Sequence, residues 1–167
     1  MRILKIATHT TVLTLLIALV CAPTLNASNE SHKANLLGFE EVPAISSTGT
    51  GEMRLKIDEA NQIIEYELSY ENLEGTTTNA AHIHIGQESV NGGVVAFLCG
   101  GGGKPACTAT SGTFTGTIGV ADVVAVSAQG IAAGEWAEVV RAMRAGKIYA
   151  NVHTNKHPGG EIRGQVK

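Results

Sequence analysis

The sequence predicts an all-β protein, an antiparallel Greek-key sandwich or barrel of about eight strands with one inserted amphipathic helix. Three observations carry that expectation. Apolar residues recur every second position through short runs, and glycine, proline, asparagine and aspartate punctuate those runs. The regular strand–helix–strand alternation that builds parallel sheets is missing.

The first element is a leader rather than part of the fold. Met1–Lys5 carries Arg2 and Lys5, Val12–Ala22 is apolar apart from Thr14, and Ala27 offers a small residue before Ser28. This is the order of a secretory signal. Its eleven-residue apolar core falls short of the roughly 20 residues that cross a bilayer. Residues 1–27 are therefore expected to be a signal peptide, and 28–167 a single extracytoplasmic domain with no membrane span, in the periplasm or secreted.

Loss of Arg2 and Lys5 leaves ten basic against fifteen acidic residues, a net charge near −5. Nucleic-acid binders carry a basic face, so nucleic acid is excluded as a partner.

The strand pattern begins with Leu37–Val42, Gly51–Ile57 and Ile63–Tyr70, with Asp58-Glu59-Ala60-Asn61 as the turn of a hairpin. Five further strands are expected at Asn79–Ile85, Gly93–Leu98, Thr113–Ile118, Lys147–His153 and Glu161–Val166. Between the sixth and seventh, Gly134–Ala145 changes period. Trp136, Val139, Val140 and Met143 fall at i, i+3, i+4 and i+7, one stripe of a helix. Glu135 and Glu138 near its start and Arg141 and Arg144 near its end suit the helix dipole, and Gly146 is placed to cap it. Trp136 is expected to anchor the apolar face on the sheet.

With Cys21 in the leader, the mature chain keeps Cys99 and Cys107, separated by a glycine-rich loop. In an oxidising compartment such a pair is expected to form a disulfide, closing a loop worth about 2–3 kcal/mol. A two-cysteine metal or redox site would want the tighter C-x-x-C spacing.

Two stretches place chemistry on strands. In Ala81-His82-Ile83-His84-Ile85-Gly86, both imidazoles project from one face and the isoleucines from the other. In Ile148-Tyr149-Ala150-Asn151-Val152-His153, the tyrosine, asparagine and histidine share a face, and His157-Pro158-Gly159-Gly160 turns the chain into its last strand.

These stretches, together with Leu37-Gly38-Phe39-Glu40-Glu41-Val42-Pro43, Gly92-Gly93-Val94-Val95 and Glu161-Ile162-Arg163-Gly164-Gln165, resemble the CHRD domain over roughly residues 34–167. This is the module repeated in the extracellular protein chordin and found singly in exported bacterial proteins. The resemblance implies an extracytoplasmic all-β module and no catalytic residues. Chordin as a whole binds growth factors of the bone morphogenetic type.

Two readings of the histidines follow. In the first, His82, His84 and His153 converge to bind copper or zinc, with His157 as a candidate fourth ligand. Neutral imidazole suits both ions, and three histidines leave one position open. In the second, the histidines belong to a polar network with Asn151, Glu161 and Arg163. Glu161, Asn151 or Thr154 would then serve the imidazoles, and Arg163 would pair with Glu161 or Glu40. The first expectation for function is accordingly a non-enzymatic binding module for a protein or envelope component, and the alternative is a small copper- or zinc-binding protein. Redox activity of the superoxide dismutase type, where an H-x-H on a strand also supplies copper ligands, is the weaker form of that alternative. A bimetallic site wants further histidines and an aspartate, and beyond these the chain has only His9 and His32.

Overall fold

The computed structural model describes residues 30–167; the expected signal peptide lies outside the described residues. Eight strands form one antiparallel sheet that curls into a nearly closed barrel: β1 Glu30–Leu37, β2 Thr50–Asp58, β3 Ile63–Glu71, β4 Thr78–Ile85, β5 Val94–Cys99, β6 Gly112–Gly119, β7 Ile148–Thr154 and β8 Ile162–Gln165. The helix α1, Trp136–Arg144, lies between β6 and β7. Ladder order is β5-β4-β7-β8-β1-β2-β3-β6. After β4, β5 and β6, the chain crosses over through α1 and returns as β7 beside β4, which is a Greek key. Among the described residues, no helix is long and apolar enough to cross a membrane.

The first strand corrects the sequence expectation. The chain is extended over Glu30–Leu37 and leaves the sheet at Gly38–Glu40 as a turn of 3₁₀ helix, so Leu37–Val42 is not a strand. In β1 only Ala34 and Leu36 are fully buried, a signal too sparse to stand out beside the apparent alternation of Leu37, Phe39 and Val42. Phe39 in fact stands 71 % exposed.

The other strands and the helix fall where their periodicity puts them. Inward residues Met53, Leu55, Ile57, Ile64, Leu68, Ile83, Ile148, Ala150, Val152 and Ile162 fill the barrel. Trp136, Val139, Val140 and Met143 bury the apolar stripe of α1 against it. Gly146, at φ 64°, donates to Met143 O, and Lys147 donates to Ala142 O, a Schellman ending.

β5 and β6 share no ladder. Instead the Tyr66 hydroxyl donates to Leu98 O, Val124 N–H to Val95 O and Lys104 Nζ to Thr117 O. Cys99 and Cys107 form a disulfide whose loop lies along this seam. Glycines 101 and 102 of that loop pack on the Phe97 ring.

Candidate metal centre

Register sets the site. In the β4–β7 ladder His82 lies opposite Asn151, His84 opposite Tyr149, and His153 opposite Ala80, one step diagonally from His82. Directly opposed residues point to the same side of a sheet, so all three imidazoles stand on the outer face. Ile83, Ala81, Ala150 and Val152 hold the inner face down in the core.

The three rings converge. Centroids are 4.9 Å apart for His82–His153, 5.5 Å for His82–His84 and 6.0 Å for His84–His153. One ring nitrogen from each lies within 4.8 Å of the other two, and among the described residues no other histidine, cysteine or carboxylate joins the group. His157 is therefore not a fourth member.

Hydrogen bonds fix which nitrogens are free. His84 Nδ1 donates to Gly92 O at 3.0 Å, and His153 Nδ1 donates to Pro158 O at 3.1 Å. A carbonyl only accepts, so both protons sit on Nδ1 and both Nε2 atoms carry a bare lone pair. Those Nε2 atoms, and Nδ1 of His82, are buried and have no protein partner. Burial holds the rings neutral. It pushes His82 down to about 3, helped by His153 and His84, and His84 down to about 4, with His153 and Arg163 adding to it. His153 is lowered by the same desolvation.

Aromatic neighbours brace the cluster. Phe97 meets His82 edge-on at 4.6 Å, and Tyr149 stacks on His84 at 4.7 Å with planes 7° apart. The Gly92 N–H in turn donates to the Tyr149 hydroxyl, so one residue's backbone holds both stacked rings. A side chain at Gly92 would put its Cβ 1.6 Å from Ile85 O. The sequence showed the Gly92-Gly93 pair but not this role, which depends on a loop folding back on β4.

The polar residues do not serve the imidazoles. Glu161 accepts from Ser47 Oγ, Thr154 Oγ1 and the N–H groups of Glu74 and Gly75. Burial raises its carboxyl, but these hydrogen bonds outweigh it and hold the group below the usual range. Asn151 donates to Glu41 Oε1 at 2.5 Å and to Ile162 O. Burial pushes Glu41 up to about 7, although Asn151 and Arg163 pull the other way.

Arg163 pairs with neither Glu161 nor Glu40. It is buried, donates to Gln87 O, Val90 O and Asn91 Oδ1, and lays its guanidinium 3.5 Å over the Tyr149 ring. The sequence expectation fails here because paired strands aim Arg163 at the loop 86–93 instead of at an acid.

An eight-stranded Greek-key module with a desolvated three-histidine cluster on its outer face is the class that fold and site define. The family model of the CHRD domain matches residues 32–166, and the chain belongs to that family. Searches of curated proteins and of solved structures gave no match.

Proposed function

We propose that this chain is an exported, non-enzymatic binding module whose ligand is a single transition-metal ion, copper or zinc, held by His82, His84 and His153. The observation that carries the reading is the set of three buried ring nitrogens without protein partners, two of them freed by Nδ1–H bonds to backbone carbonyls. Outer bonds of this kind are what orient metal-binding histidines. A buried ring nitrogen without a partner costs free energy, and three of them in one cluster of imidazoles make poor sense as scaffolding.

Bonds near 2.0–2.1 Å require ligand nitrogens roughly 3–4 Å apart. The rings would close inward by about 1 Å around the ion. Export is supported by the leader pattern and by the Cys99–Cys107 bridge.

Copper and zinc titration of the purified chain, with elemental analysis, tests the proposal. One equivalent bound by the parent and lost in both His82→Ala and His153→Ala is expected. Absence of binding in the low micromolar range would overturn it.

A second reading, attachment to a protein or envelope component, is favoured by the exposed apolar side chains of Leu37, Phe39 and Val90. Arg163 joins their segments, facing Leu37 in the β1–β8 ladder and donating to Val90 O. Loss of attachment to envelope fractions in Phe39→Ser, with metal binding intact, would support it.

A further inference from the structure

Arg163 is a fully buried cation, and among the described residues no carboxylate forms an ion pair with it. Its N–H groups go to two carbonyls and one amide, all neutral. A charge kept in that setting is expensive, and its field is poorly screened. It lies close to the histidines. β7 runs between β4 and β8, and Tyr149 on β7 receives His84 from one flanking strand and Arg163 from the other. No more than about 8 Å separates the guanidinium carbon from the centre of the His84 ring.

The ligand set brings no negative charge to offset this. All three donors are neutral imidazoles, and among the described residues neither carboxylate nor thiolate completes the group. Glu41, the carboxyl that feels Arg163, already accepts from Asn151, and burial raises it to about 7 against the pull of both residues, so it offsets the cation only in part. An ion bound here therefore meets a net positive surround. At about 10 Å and an effective dielectric near 20, each further positive charge on the ion weakens binding on the order of tenfold.

Coordination number points the same way. Cu(II) favours a tetragonal set of nitrogen and oxygen ligands, and zinc on three histidines takes a water as its fourth ligand, whereas the three ring nitrogens here are shut off from solvent. Here one sheet face supplies three nitrogens, enough for a trigonal monovalent ion. Sodium and potassium are hard ions that prefer oxygen, which leaves copper as the monovalent metal suited to imidazole.

Resting on the metal-binding reading above, we infer that the site selects copper as Cu(I) over Cu(II) and Zn(II), with Arg163 acting through Tyr149 and His84 as the residue that sets the preference. Arg163 is a positioning and charge-setting residue, not a ligand.

The test is a set of competition titrations on the purified chain. Cu(I) is offered anaerobically with bicinchoninate as competitor and ascorbate as reductant, which leaves the disulfide intact; Cu(II) and Zn(II) are offered against chromophoric chelators. The parent is expected to hold Cu(I) at least tenfold more tightly than Cu(II), which raises the copper reduction potential by about 59 mV per factor of ten. Arg163→Met should narrow that ratio about tenfold, and Arg163→Lys, which keeps the charge, should preserve it. Equal or tighter binding of Cu(II) or Zn(II) by the parent would overturn the selectivity while leaving the metal site standing. An unchanged ratio in Arg163→Met would remove Arg163 from the account. Failure of all three ions to bind would overturn the underlying function instead. The parent ratio needs no variant, so a misfolded Arg163→Met leaves the inference open to refutation.

Discussion

His84 gives its Nδ1 proton to the backbone oxygen of Gly92 at 3.0 Å, and that bond leaves Nε2 as the free nitrogen of the ring. Gly92→Ala should disturb it, since the new Cβ would collide with Ile85 O and the loop must move. Loss of such an outer partner typically costs 10–100-fold in metal affinity, about 1.4–2.7 kcal/mol. Gly159→Ala, which meets nothing within 4 Å, serves as the control. Equal copper affinities in the two variants would sink the claim.

Glu161 ties two loops to the end of β7 by accepting four hydrogen bonds around residues 47, 74–75 and 154. Glu161→Ala strands the Glu74 and Gly75 N–H groups and should cost about 3 kcal/mol in urea unfolding at pH 7. Its folded pKa is depressed. The stability it supplies is thus present above the ordinary carboxylate pKa and disappears as pH falls through the folded value. The gap between parent and Glu161→Ala should shrink toward pH 3; a gap that stays constant would contradict the assignment.

Glu41 has the opposite sign. Its carboxyl is raised to about 7, so its contribution is full below about 4.5 and is lost as pH climbs toward 7. Glu41→Gln keeps an acceptor for Asn151 without the charge. It should match the parent at pH 4 and exceed it at pH 8 by about 1–2 kcal/mol, allowing for solvent screening. Parallel stability curves from pH 4 to 8 would refute this.

Reduction of Cys99–Cys107 should lower stability by about 2–3 kcal/mol, a fall of about 5–10 °C in thermal midpoint. The double variant Cys99→Ala/Cys107→Ala should melt with the reduced parent. A midpoint unmoved by reductant would show that the bridge does not constrain the fold.

The barrel was legible in the sequence because alternation is a local property. Met53, Leu55 and Ile57 declare their shared face without reference to any other segment. So did the H-x-H of β4 and the later His153, since strand parity alone puts each on one side. Their convergence stood as one of two readings that alternation alone does not decide, because it depends on β7 returning to β4 in a register that sets His82 opposite Asn151. Arg163 and Gly92 were harder still. Both act through loop backbone, the carbonyls of Gln87 and Val90 for one and the carbonyl of Gly92 itself for the other. Backbone carbonyls are the same in every residue, so no side-chain pattern announces them. The misplaced first strand has the same origin: Gly38 folds its turn against Ile45 O, a contact with no trace in the period of Leu37–Val42.

The seam between β5 and β6 couples folding to surroundings. Hydroxyl, lysine and loop groups occupy Leu98 O, Thr117 O and Val95 O there, and the covalent clasp at Cys99 and Cys107 keeps the covering loop in place. Where thiols stay reduced, the loop that carries Lys104 loosens, and the β6 margin at Thr117 becomes a template for neighbouring chains. Self-association of the reduced chain that disappears on oxidation, read by light scattering with and without reductant, is the outcome expected of this closure.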